Sequence, residues 1–194
     1  VLGRLEGRPY ALMVCAGSDG ENAVRQMARI ATGWRLKPVA DPIIVCTHAQ
    51  TPEAILAPKT IPEADLARCT VTELNVPTRV GPSRVMRVDP PNATPAPRPL
   101  FVNFHGGGFV RGYERRDTVF CAQLALALGC TVLDVDYRLA PEHPFPTGLH
   151  ECHDVVAWAF DNAADLGVDP ARIAIGGHSA GGNFATAVCL MAKA

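Results

Sequence analysis

Apolar residues in this chain come in short runs, and stretches with helical spacing separate them. Pro9–Cys15 and Pro42–Cys46 read as buried strands. Between them Ser18 and Glu21 make an S-x-x-E capping box, and Val24, Met27, Ala28 and Ala31 line one helical face. This is a β-α-β pattern. Pro62–Arg68 has a helical composition. Val71–Val76 and Ser83–Val88 follow as two strands, with Gly81 and Pro82 as the turn between them. Asp89–Pro99 is a proline-rich, stiff loop with few donors for a sheet.

Strand and helix then alternate. Pro99–Phe104 reads as a strand, and Thr118 is the expected cap of a helix that runs to Leu128 and stops at Gly129. Cys130–Asp136 is the next strand. Gly148–Ala164 reads as a helix with Val155, Trp158 and Ala159 inward, and Asp169-Pro170 turns the chain into Ile173–Ile175, a short buried strand. Phe184, Ala187, Val188 and Met191 recur at helical spacing after it. The expected fold class is α/β throughout.

Between that last strand and helix lies Gly177-His178-Ser179-Ala180-Gly181, a G-x-S-x-G sequence. Strand, sharp turn and helix are the context of a nucleophile elbow. Glycines flank the serine because the turn is strained and two elements pass close behind it. The serine oxygen then stands beside a helix N-terminus, where an anion is favoured. Upstream, His105-Gly106-Gly107-Gly108 follows a strand, which is the oxyanion-hole pattern of lipases and esterases. A third motif, Tyr137–Pro146 (YRLAPEHPFP), follows the next strand.

In order and spacing these three motifs resemble the hormone-sensitive-lipase-like branch of the α/β-hydrolases, the bacterial family IV esterases. His178 stands where that family usually has an acid. The resemblance implies hydrolysis of carboxylic esters with short or medium acyl chains, through an acyl-enzyme and without a cofactor. It makes Ser179 the nucleophile and gives the oxyanion hole to the backbone N–H groups of Gly107, Gly108 and Ala180. His105 and Gly106 belong to the oxyanion-loop motif, with His105 anchoring the loop. Tyr137–Pro146 is expected to buttress the loop from behind. The family order is serine, acid, histidine. The fifteen residues after Ser179 contain neither an acid nor a histidine, so the chain is expected to be an incomplete version of the enzyme. His48, His105, His143, His150 and His153 precede the elbow and His178 lies in it, so none stands where the base belongs. No later strand covers the elbow strand, which predicts an apolar sheet edge open to self-association.

Residues 1–69 carry none of these motifs. Gly7–Val14, Ala16–Gly20 and Trp34–Val39 look like the later half of a flavodoxin-like NADPH-dependent FMN reductase. The strand and loop that hold the flavin phosphate in that family are absent here, and Ala16–Gly20 reads as an ordinary strand-to-helix turn. The expected organisation is therefore a partial flavodoxin-like segment at 1–69 and a truncated α/β-hydrolase sheet at 70–194. The alternatives are an inactive fusion product, or a flavin-reductase-like redox protein named for its first part.

Composition narrows the partners. A net charge of −1 with no basic run argues against nucleic acid and anionic membranes. The longest apolar run, Val119–Leu128, is too short to span a bilayer. Val1–Tyr10 lacks the apolar core of a signal peptide, and the initial valine is expected not to be a native start. The odd count of 7 cysteines, several in apolar patterns, predicts reduced core thiols in a cytoplasmic protein. His150, Cys152 and His153 do not share a helix face, so no metal is expected there. The expected partner is a small-molecule ester.

Overall fold

The computed structural model describes residues 9–10, 13–16, 25, 37–38, 43–46, 63–91 and 97–192. The chain divides into two compact units, Val1–Thr60 and Ile61–Ala194. In the first, β1 (Pro9–Tyr10) pairs in parallel with β3 (Lys37–Pro38), and β2 (Met13–Ala16) with β4 (Ile43–Cys46). Two parallel strands joined by a long connection agree with the β-α-β pattern. Of the helix expected between them only Arg25 is described, and it is helical. The capping box and the Ala16–Gly20 turn lie outside the described residues, apart from Ala16 itself.

The second unit is built on a five-stranded sheet: β5 (Thr70–Val76), β6 (Ser83–Asp89), β7 (Arg98–Phe104), β8 (Thr131–Asp136) and β9 (Val168–Gly177). Its order is β5-β6-β8-β7-β9. The hairpin β5–β6 and the β6–β8 pair are antiparallel, whereas β8, β7 and β9 run parallel. Gly81 makes the hairpin turn with a φ of 103°. Leu66 and Cys69, just before β5, pack with Val71 against the sheet's core, so this short stretch belongs to the second unit.

Alternation along the strands sorts side chains onto two faces. Val88, Val132 and Phe101 meet helix α1 (Arg115–Leu128) through Cys121, Ala122 and Ala125. Leu100, Val102, Phe104, Leu133 and Val135 meet helices α2 (Thr147–Asp161) and α4 (Ala180–Met191) through Cys152, Val155, Ala159, Phe184 and Val188. The central strand β8 is thus buried on both faces, as parallel strands between helix layers are.

Several expectations shift. Helix α1 is capped by Glu114 in a capping box with Asp117, not by Thr118. Thr118 lies inside the helix, buried against the sheet, and its hydroxyl reaches Asp134 at 3.4 Å. The helix over 148–164 breaks at Asn162 into α2 and a single turn, α3 (Ala163–Leu166). Asp169-Pro170 is a bulge inside β9 rather than a turn before it. The pairing with β7 jumps from Arg98–Val168 to Leu100–Ile173, and Asp169 accepts from the N–H of Ala171 at 2.9 Å. Ile173 and Ile175 are half-buried and Ala174 exposed, because among the described strands β9 pairs on one side only. Cys121, Cys130 and Cys152 are buried free thiols, but Cys189 is exposed. No helix among the described residues is long and apolar enough to cross a membrane.

Candidate active site

β9 ends at Gly177 and α4 begins at Ala180, so the chain reverses over two residues. Ser179 takes a φ of 50° and a ψ of −119°, one of two non-glycine residues with positive φ among those described. A side chain tolerates this only when the surroundings over-determine it. Here they do. A Cβ on Gly177 or Gly181 would overlap the carbonyl oxygen of Phe104, the last residue of β7. The turn is therefore pressed against the strand end from which the glycine loop departs. Ser179 itself is exposed.

The loop is held from the other side. The His105 ring lies parallel to Tyr137 at 4.2 Å between centroids, and its Nδ1 bonds the carbonyl oxygen of Gly106 at 2.8 Å. The Tyr137 hydroxyl donates to the His105 carbonyl at 2.7 Å, and burial pushes its pKa up, so it remains a donor. The N–H of Ala140 donates to Phe109 O at 2.9 Å. Thus the stretch after β8 lies behind the loop and braces it. Arg138 is fixed in turn by the buried Glu151 of α2, which takes its N–H at 2.7 Å and its guanidinium at 2.8 Å.

Loop and turn touch. A Cβ on Gly106 would come within 2.5 Å of His178 Nε2 and 3.0 Å of His178 O. The His178 side chain is thereby aimed at the loop. Gly107 and Gly108 have φ values of 134° and 64°, and among the described residues no protein acceptor takes their N–H groups. The place a Cβ on Gly108 would occupy is open. Ala180 opens α4, where backbone N–H groups have no intrahelical partner.

The segment that carries this arrangement is similar to known proteins. Residues 101–194 match a family described as having the alpha/beta hydrolase fold. An arylesterase of Saccharolobus solfataricus is 44% identical over 94 residues, covering 48% of this chain and 31% of that protein. Human hormone-sensitive lipase is 43% identical over 104 residues, covering 54% of this chain and 10% of its own. Among solved structures, a hyperthermophilic esterase from Pyrobaculum calidifontis superposes with a TM-score of 0.61 at 41% identity, over 64% of this chain and 40% of that one. Residues 101–194 are an α/β-hydrolase segment. It is of the hormone-sensitive-lipase-like kind. The chain spans well under half the length of these relatives.

Of the residues singled out from the motifs, His105 and Gly106–Gly108 lie on one loop and Ser179 and Ala180 on the turn, and the two meet where Gly106 approaches His178 and Gly181 approaches the His105 carbonyl. The family match covers no residue before 101, so it lends nothing to the flavodoxin-like reading of residues 1–69. In the hydrolase segment Cys152 is buried and His153 Nδ1 lies 3.4 Å from Asp154 Oδ1.

Motif reading missed two features of the segment. One is a cavity of about 410 Å³ lined by Gly108, Phe109, Phe184 and Ala187, among others. It depends on how the glycine loop, the stretch after β8, α2 and α4 pack, and no local pattern announces it. The other is the buried pair Asn103–Asp134 on neighbouring strands, joined at 2.8 Å. Burial, only partly offset by the Asn103 hydrogen bond, pushes the Asp134 carboxyl up to about 7. A polar residue inside each of two apolar strand runs was the available signal.

Proposed function

We propose that this segment is the nucleophile-bearing half of a serine hydrolase acting on carboxylic esters of short or medium acyl chain. The juxtaposition of the glycine loop and the serine turn carries this reading. The hydroxyl of Ser179 attacks the ester carbonyl. The oxygen that becomes negative accepts from the N–H groups of Gly107, Gly108 and Ala180, fixed before the reaction and so requiring no reorganisation. Collapse expels the alcohol and leaves an acyl-serine, which water then hydrolyses. His105 anchors the loop, with its ring held by Tyr137 and by Gly106 O. His178 packs on Gly106, so neither histidine is disposed as the general base. Preorganised donors by themselves accelerate such reactions by roughly 10³-fold over water. A small-molecule ester is the proposed substrate, and the one-sided β9 is the proposed edge for self-association.

A fluorophosphonate probe tests the reading. Incubation with the chain is expected to give a slow covalent adduct, mapped by mass spectrometry to Ser179 and abolished in Ser179→Ala. An adduct that persists in the variant, or none in the wild type, overturns it.

The close approach of the turn to β7 has its own expected cost. Gly181→Ala is expected to lose about 1–3 kcal/mol of stability through overpacking against the Phe104 carbonyl. Thermal unfolding measures it, and Gly112→Ala, whose Cβ meets only Leu139 Cδ1 at 3.4 Å, is the control.

A further inference from the structure

We propose that the cavity beside Gly108 holds an apolar arm of the ester, and that Ala187 sets how long that arm can be. The inference rests on the serine-hydrolase reading and adds the place and character of the substrate's chain.

Two observations tie the cavity to the reacting centre. Gly108 lines it, so one end of the cavity opens at the proposed oxyanion donors. Asn183 and Ala187 line it as well, and they follow Ser179 at steps of four residues. Such residues share one helix face, and the N–H of Asn183 donates to Ser179 O at 3.1 Å. The cavity therefore runs along α4 away from the serine. Ala187 lies about 12 Å of helix beyond Ser179, at 1.5 Å rise per residue.

The walls select for an apolar guest. Phe109 and Phe184, with ring centroids 4.8 Å apart, form one side, and Leu149 and Phe145 add to the surface. The charged lining residue Arg138 is already bonded to Glu151 and to Pro82 O. A volume of about 410 Å³ lies within the roughly 300–1,000 Å³ of small-molecule sites. At Ala187 a small side chain leaves the channel open where a larger one would close it.

Fluorophosphonates separate the two possible arms. In the labelling step the Ser179 Oγ–phosphorus bond forms, the phosphorus–fluorine bond breaks, fluoride leaves and the serine proton goes to solvent. A chain attached through carbon mimics the acyl arm, and one attached through oxygen mimics the alcohol arm. In one of the two series, labelling is expected to quicken by about fourfold per added methylene from ethyl to hexyl. Ala187→Phe is expected to flatten that dependence while short-chain labelling persists. Val110→Trp, at the exposed rim of the cavity, does the same without touching α4. A separate calorimetric titration with 2-decanone, which needs no labelling, is expected to weaken at least about tenfold in Ala187→Phe. Chain-length dependence or 2-decanone affinity unchanged in both variants overturns the inference while leaving the esterase reading intact. Absence of any Ser179 adduct in the wild type overturns the esterase reading, and the titration still judges the cavity.

Discussion

Asp134→Asn is expected to change stability little near pH 4 and to raise it by about 4 kcal/mol at pH 8. Asp134 lies inside β8, fully buried beneath α1, with its carboxyl raised from 3.8 to about 7 chiefly by burial. In the unfolded chain it ionises near 3.8, so between these two values the folded protein holds a proton that the unfolded one has released. The stability conferred by that proton is complete below about pH 4 and is lost as pH rises towards 7, at about 1.4 kcal/mol per pH unit. Asp117 and Cys121 of α1 face the same carboxyl, and Asp117 adds to the cost of ionising it. Asparagine has no charge to bury. Its amide can also serve Asn103 Oδ1, which is buried without a partner among the described residues. Urea unfolding of both proteins at pH 5 and pH 8 measures the difference. Stability–pH curves that stay parallel would contradict the assignment.

A second large effect is expected at Glu151. Its side chain is buried and binds both the N–H and the guanidinium of Arg138. Removing Glu151 takes the acceptor from the Arg138 N–H and from one arm of its half-buried guanidinium, leaving Pro82 O as its remaining partner, which costs about 1–3 kcal/mol. Glu151→Ala is therefore expected to lower the unfolding free energy by that amount. Glu151→Gln, which keeps an acceptor, should lose less. Because Arg138 follows the tyrosine that braces the glycine loop, the alanine variant is also expected to slow Ser179 labelling. Urea unfolding and the fluorophosphonate rate, measured on the same preparations, check both halves. A loss below about 1 kcal/mol would show that Pro82 O and solvent satisfy Arg138 without Glu151.

Local chemistry made the candidate site legible. Gly177, Gly181 and the glycine triplet announce close backbone approach, and the structure puts Gly106 against His178 and Gly181 against Phe104. The hairpin at Gly81 and the strands at 98–104 and 131–136 follow from short apolar runs bounded by turn residues. The misread parts share another cause. Thr118 is a good cap by type, but its hydroxyl is taken up beside Asp134 across the sheet, and the less typical Glu114 caps the helix. Ile173 and Ile175 look like core residues by composition. Whether they are buried depends on what lies beyond β9, which no window of local sequence contains. The cavity by Ala187 likewise belongs to packing between four elements.

The strand order has a consequence for how the chain acquires its shape. β9 does not lie beside β8, which precedes it, but on the far side of β7, with α1, β8, α2 and α3 intervening in sequence. Closing so long a loop costs entropy before any sheet bond repays it, and contacts of this kind form late in folding. The bend that presents Ser179 is thus expected to mature last, on a platform of β5 to β8 already in place.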